Sequence, residues 1–218
     1  AQWIQTNGPS GGRIYAFAYH NSTIYSAANG GLSYSTNCGI NWQETSLFKF
    51  TNSAGYNNNT LFAGISNEGV KISTNNGINW SNTELNSQNI YCYAFSGSYC
   101  FAGCWNSLGV FRSTNNGSNW IQTSLNKSVS ALIYLNTNLY AGTYLEGVYL
   151  SSDNGNNWIQ TSLNSSSIYS LTSSGTNIYA GTGTNGVYYS SNNGANWISI
   201  GLNGMTVSAL SVYGSNIF

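Results

Sequence analysis

Between Val129 and Leu163 the chain alternates short apolar runs with polar clusters. The runs are Val129–Tyr134, Leu139–Gly142, Gly147–Ser151 and Trp158–Leu163, separated by Asn, Thr, Gly and Ser. Short runs rich in β-branched and aromatic residues, broken by turn formers, predict four strands joined by tight turns. No stretch sustains an apolar period near 3.6 residues, so helices are expected to be nearly absent.

The same set recurs along the whole chain. Ala63-Gly64, Ala102-Gly103, Ala141-Gly142 and Ala180-Gly181 close a second run, and Gly69, Gly109, Gly147 and Gly186 open a third. Small residues at both places are expected to let neighbouring sheets approach closely. The fourth run ends at Leu47, Leu85, Leu125, Leu163 and Leu202. Four strands per period of about 40 residues predict an all-β chain of β-propeller blades, at roughly 14–47, 50–85, 89–125, 129–163 and 167–202. One domain over 1–218 is expected. Residues 1–6, with Trp3, read as an outer strand, and 205–218 as inner strands of a composite closing blade, making six blades the favoured count. That blade lacks a third strand. The chain continuing past Phe218, a neighbouring molecule filling the gap, or closure on five blades would each account for it.

The period is set by one phrase, Ser-x-Asn/Asp-x-Gly-x-x-Trp. Its copies are Ser35, Asn37, Gly39 and Trp42; Ser73, Asn75, Gly77 and Trp80; Ser113, Asn115, Gly117 and Trp120; Ser151, Asp153, Gly155 and Trp158; and Ser190, Asn192, Gly194 and Trp197. The phrase fits a hairpin between third and fourth strands. The Asn or Asp side chain accepts from the turn's own amides, Gly supplies a positive φ, and Trp anchors the turn. It resembles the Asp-box (BNR) repeat of sialidases, sortilin-type receptors, some glycoside hydrolases and photosystem assembly-factor propellers. The resemblance implies a propeller whose boxes lie on the rim, away from active sites. The chain departs from it by carrying Asn in four boxes and an acid only at Asp153.

Charge narrows the function. Only 5% of residues are charged, with no net charge, against about 25% in ordinary domains. Nucleic acid, which needs a basic footprint, and electrostatic membrane attachment are not expected. No apolar run reaches the length of a membrane-spanning helix. The start at Ala1-Gln2 reads like a mature secreted protein. Cys92 and Cys104 are placed for a cross-strand disulfide, with Cys100 a less direct partner, and Cys38 sits at a turn tip where it could bridge to another chain. These spacings make no metal site, and no cofactor is expected.

Catalytic chemistry has few candidates. The sialidase resemblance would require three arginines on a carboxylate, and the chain has only Arg13 and Arg112. A glycosidase needs two facing carboxyls. Glu68 and Glu146 occupy equivalent positions with a blade between them, too far apart on repeat symmetry, and Asp153 belongs to a turn. His20 has no nameable Ser or Cys partner. No enzyme is expected. The loops between second and third strands vary more. They carry Trp105 and Tyr144 in adjacent blades, with Asn106, Glu68, Glu146 and Asn185, a set that suits a sugar or a protein partner. Ordinary packing between loops is the plain alternative. The expected function is a secreted, non-catalytic propeller acting as a structural, self-assembling or protein-binding module at the cell surface or outside it. Its partner would be itself, as homo-oligomer or filament, or another surface protein. A lectin-like propeller that binds glycans and a fragment of an extracellular glycoside hydrolase are the alternatives.

Overall fold

The computed structural model describes residues 5–9, 12–214 and 216–218. The strand expected over 1–6 falls largely on Trp3 and Ile4, outside the described residues; Gln5 and Thr6 form no strand. Among the described residues there is no helix. Five antiparallel four-stranded meanders follow one another. The first is β1 (Ile14–His20), β2 (Thr23–Ala28), β3 (Gly31–Ser35) and β4 (Gln43–Glu44); the second is β5 (Thr51–Asn57), β6 (Thr60–Ile65), β7 (Gly69–Ser73) and β8 (Ser81–Asn82). The third is β9 (Ile90–Ser96), β10 (Tyr99–Cys104), β11 (Gly109–Ser113) and β12 (Ile121–Gln122); the fourth is β13 (Val129–Leu135), β14 (Asn138–Thr143), β15 (Gly147–Ser151) and β16 (Ile159–Gln160). The fifth is β17 (Ile168–Ser174), β18 (Asn177–Thr182), β19 (Val187–Ser190) and β20 (Ile198–Gly201). A two-stranded sheet, β21 (Val212–Tyr213) and β22 (Asn216–Ile217), comes last.

The fourth strands are short as ladders but extend by isolated backbone bonds. Thr161 N–H donates to Val148 O (2.9 Å) and Val148 N–H to Leu163 O (2.8 Å). This explains the glycine that opens each third strand. Gly147 sits at φ +72°, and a Cβ there would collide with the Leu163 carbonyl. The close approach is therefore made by the blade's own fourth strand, not by a neighbouring sheet as expected. The second-strand glycine does serve blade-to-blade packing: a Cβ on Gly142 would lie 2.6 Å from the Ile168 side chain of the next blade. β13 and β17 each shift register after their first residue, between Val129 and Ala131 and between Ile168 and Ser170. The shift turns Ile168 and Leu171 to the same face, and both are buried.

The chain separates into two compact units, Ala1–Tyr91 with Gly97–Cys100 and Ser113–Trp120, and Cys92–Ser96 with Phe101–Arg112 and Ile121–Phe218. In the first, a core forms from Ala18, Tyr25, Ala27, Leu32, Leu47, Leu61, Ala63 and Ile65. In the second, Ala131, Tyr140, Val148, Leu163, Ile168, Leu171, Ile178 and Ala180 play that part. Each large side chain fully buried in this way contributes roughly 1.5–3 kcal/mol.

The inner strand expected over Thr206–Tyr213 is shorter than foreseen, since only Val212–Tyr213 is laddered. The preceding residues are held by the fifth blade instead. Val207 N–H donates to Thr182 O (2.8 Å), and Leu210 N–H to Ser170 Oγ (2.9 Å). Val207 also lies against Gly181, its Cγ1 2.9 Å from where a Cβ would stand. It thus takes toward Gly181 the place that Ile168 takes toward Gly142.

Candidate functional site

The repeated turns use their polar groups internally. In the fourth, Ser151 Oγ accepts from Gly155 N–H (2.8 Å) and donates to Asp153 Oδ1 (2.9 Å). Asp153 accepts from Asn157 N–H (2.8 Å) and Asn157 Nδ2 (2.7 Å), and Trp158 Nε1 donates to Gly155 O (3.2 Å). The Asn157 amide bonds hold the Asp153 carboxyl below the usual range. The other turns repeat the Ser-to-Gly and Ser-to-Asn bonds with Asn37, Asn75, Asn115 and Asn192. Asn does the same work because only one oxygen is needed for the backbone. In the fifth turn Trp197 Nε1 donates to Thr161 Oγ1 instead (3.2 Å). The residue before each turn glycine is left-handed: Cys38, Asn76, Asn116, Asn154 and Asn193 lie at φ between 52° and 57°. Asn tolerates this region best after Gly.

The expected Cys92–Cys104 disulfide is absent, and all four cysteines are free thiols. The register shift supplies the reason. In the sister blades the residue equivalent to Cys92 pairs with the second-strand glycine, as Ser53↔Gly64, Ala131↔Gly142 and Ser170↔Gly181 do. Cys92 accordingly lies against Gly103 rather than opposite Cys104. Burial pushes the Cys104 thiol up to about 12 and the Cys92 thiol further, so neither is a ready nucleophile.

The two glutamates are each held by lysine. Glu68 takes Lys49 Nζ at 2.6 Å and Lys71 Nζ at 3.5 Å. Glu146 takes Lys127 Nζ at 2.7 Å and accepts from Tyr149 Oη at 3.2 Å. The Lys49 and Lys127 bonds hold the two carboxyls below their usual range. Sequence reasoning missed these lysines. The signal was present, because Lys49 precedes Glu68 by 19 residues and Lys127 precedes Glu146 by the same 19.

Trp105 and Tyr144 do meet, with ring centroids 5.2 Å apart at 52°. Tyr144 remains exposed beside them, as does Asn106 at φ +57°. Asn185 stays exposed, and its Nδ2 donates to Ser166 Oγ (3.0 Å). Among the described residues no three His, Cys, Asp or Glu side chains gather as a metal site. Among the same residues no helix is long and apolar enough to cross a membrane. A polar cleft at His20, which sequence reasoning passed over as a turn, opens in the first unit.

No protein-family model matches the chain, and no curated protein matches it. Solved structures do. An ancestral GH74 enzyme superposes with a TM-score of 0.73 at 24% identity, covering 94% of this chain and 33% of its own. The extracellular domain of a putative one-component system, BT4673 from B. thetaiotaomicron, gives 0.76 at 18%, covering 99% and 32%. YCF48 bound to D1 peptide gives 0.64 at 13%, covering 85% and 65%. The chain thus spans about a third of the first two and about two thirds of the last. The shared fold is the β-propeller, so the meanders are its blades, and identities this low carry the fold and not an activity.

Proposed function

We propose that this chain is a non-catalytic propeller module of the extracellular space that works by association, foremost with a second copy of itself. One observation carries the reading. On β1, Phe17 is 61% exposed and Tyr19 69% exposed. Their pairing partners, Ser26 and Ile24, occupy the second-strand places held by Ala141 and Leu139 in the fourth blade. Phe17 is therefore the equivalent of Leu132 and Leu171, which are 7% and 9% exposed beneath neighbouring sheets. Two large apolar side chains are therefore exposed on β1, Phe17 at a place that is covered in the fourth and fifth blades. Zero net charge removes the mutual repulsion that would keep copies apart. Lysine pairing of Glu68 and Glu146 supports the non-catalytic half of the reading, as a hydrolytic pair would need carboxyls free to act on substrate. YCF48, which was solved with a bound peptide, is a precedent for the fold in protein binding.

Sedimentation over a concentration series tests this. Mass should rise above that of one 23.4 kDa chain, and Phe17→Lys with Tyr19→Lys should return it to one chain. A single-chain mass at every concentration would sink the self-association reading. Release of reducing sugar from neutral polysaccharides would overturn the non-catalytic one.

A further inference from the structure

The cleft at His20 lies between the β1–β2 turn and the turn after β7, wholly within the first unit, and has a volume of about 420 Å³. Small-molecule pockets run from roughly 300 to 1,000 Å³. One wall is a run of flat rings. His20 stacks on Tyr56 with centroids 3.8 Å apart at 10°, and Tyr56 on Tyr25 at 6.0 Å and 21°. Asn76 lies beside them. Its Oδ1 accepts from Tyr56 Oη (3.2 Å) and Tyr25 Oη (3.4 Å), which orients its Nδ2 donors away from both phenols. Asn21 Nδ2 lies 2.9 Å from His20 Nε2, so the two side chains pair with each other. Burial raises the Tyr25 phenol to about 12, so it stays neutral. Thr74 adds a hydroxyl, and no Asp, Glu, Lys or Arg lines the cleft.

The next place of the same kind is bridged by side chains. There Asn57 and Asn58 both donate Nδ2 to Gly97 O (2.8 Å each), and Asn58 also to Asn116 Oδ1 (3.1 Å). At the first blade His20 and Asn21 replace Asn57 and Asn58. They bond to each other, and His20 stacks on Tyr56 instead of bridging.

We propose that this cleft binds a neutral sugar unit, free or at the end of a glycan. A sugar hydroxyl is both donor and acceptor, and the cleft is lined by the Asn76 amide, the Thr74 hydroxyl and the Tyr25 and Tyr56 phenols. Its pyranose face matches the flat imidazole. The absence of charged lining residues disfavours anionic and cationic ligands. The site is independent of the self-association proposed above and separate from Trp105 and Tyr144.

Because His20 is the chain's one histidine, its imidazole proton signals need no assignment. They should be followed by NMR while D-glucose, D-galactose, L-fucose and N-acetyl-D-glucosamine are titrated in turn, and then a glycan array should be probed. At least one sugar should shift the His20 signals saturably. Asn76→Gly keeps the left-handed turn and should weaken that binding about tenfold or more, while Trp105→Ala leaves it unchanged. Array signal confined to glycans ending in that sugar identifies the glycan source; binding of the free sugar with a blank array identifies the free one. His20 signals that none of the four sugars moves together with a blank array, or binding indifferent to Asn76→Gly, would overturn the proposal.

Discussion

The fourth and fifth blades have nearly the same sequence pattern and different surroundings. Tyr140 in β14 is fully buried, while Tyr179 at the same place in β18 is half-buried. Leu163 at the end of the fourth blade is 6% exposed and Leu202 at the end of the fifth is 56% exposed. The fourth blade is covered by Ile168 and Leu171 of its successor. The fifth is covered by Val207 and the short segment around it. A local change adds to this. The β19–β20 pairing shifts register between Val187 and Tyr188, Gly201 replaces a serine, and Leu202 turns left-handed at φ +58°. The comparison shows that burial of a repeat residue depends on the element laid over it and on the local backbone, not on its place in the repeat alone.

Substitutions in pairs test that difference. Tyr140→Ala should cost about 3–5 kcal/mol in urea unfolding, and Tyr179→Ala clearly less. Equal losses would mean the fifth blade is covered as fully as the fourth. Leu163→Ala should cost about 2–5 kcal/mol, against roughly 0.5 kcal/mol or less for Leu202→Ala. The smallest effect concerns the turns, because only the fourth carries an acid. The fold holds the Asp153 carboxyl below its ordinary range, so its contribution is present at neutral pH. It is lost as pH falls through the ordinary aspartate range and below. Asp153→Asn should remove that part of the acid dependence, and Asn192→Asp should introduce it into the fifth turn. Identical acid unfolding curves for all three proteins would contradict the assignment.

Much of the fold was legible because the phrase ending in Trp42, Trp80, Trp120, Trp158 and Trp197 works as a ruler. It fixed the strand order and the turn chemistry from residue types alone. The glycines were legible as close contacts, but not which partner approaches, since Gly147 and Gly142 look alike in sequence and meet different strands. The Cys92 geometry was hidden by a one-residue register shift, which alternation cannot reveal. The cleft was hidden because it rests on which partners His20 and Asn21 take, and a missing bridge leaves no mark in a sequence. Trp105 and Tyr144 were legible as neighbours because the repeat sets their loops side by side.

The serine at the head of each turn also bears on how the protein ages. Four turns contain Asn-Gly, at Asn76, Asn116, Asn154 and Asn193, the dipeptide most prone to lose ammonia when the glycine nitrogen attacks the asparagine side chain. In each, that nitrogen is donating its hydrogen to a buried serine oxygen, at 2.8 to 2.9 Å. In three of them the asparagine oxygen is also bonded, to Tyr56, Asn58 or Tyr134. The arrangement that shapes the turn thereby keeps both reacting groups in place and slows spontaneous deamidation at positions where an asparagine-rich chain without charge would otherwise acquire charge with time.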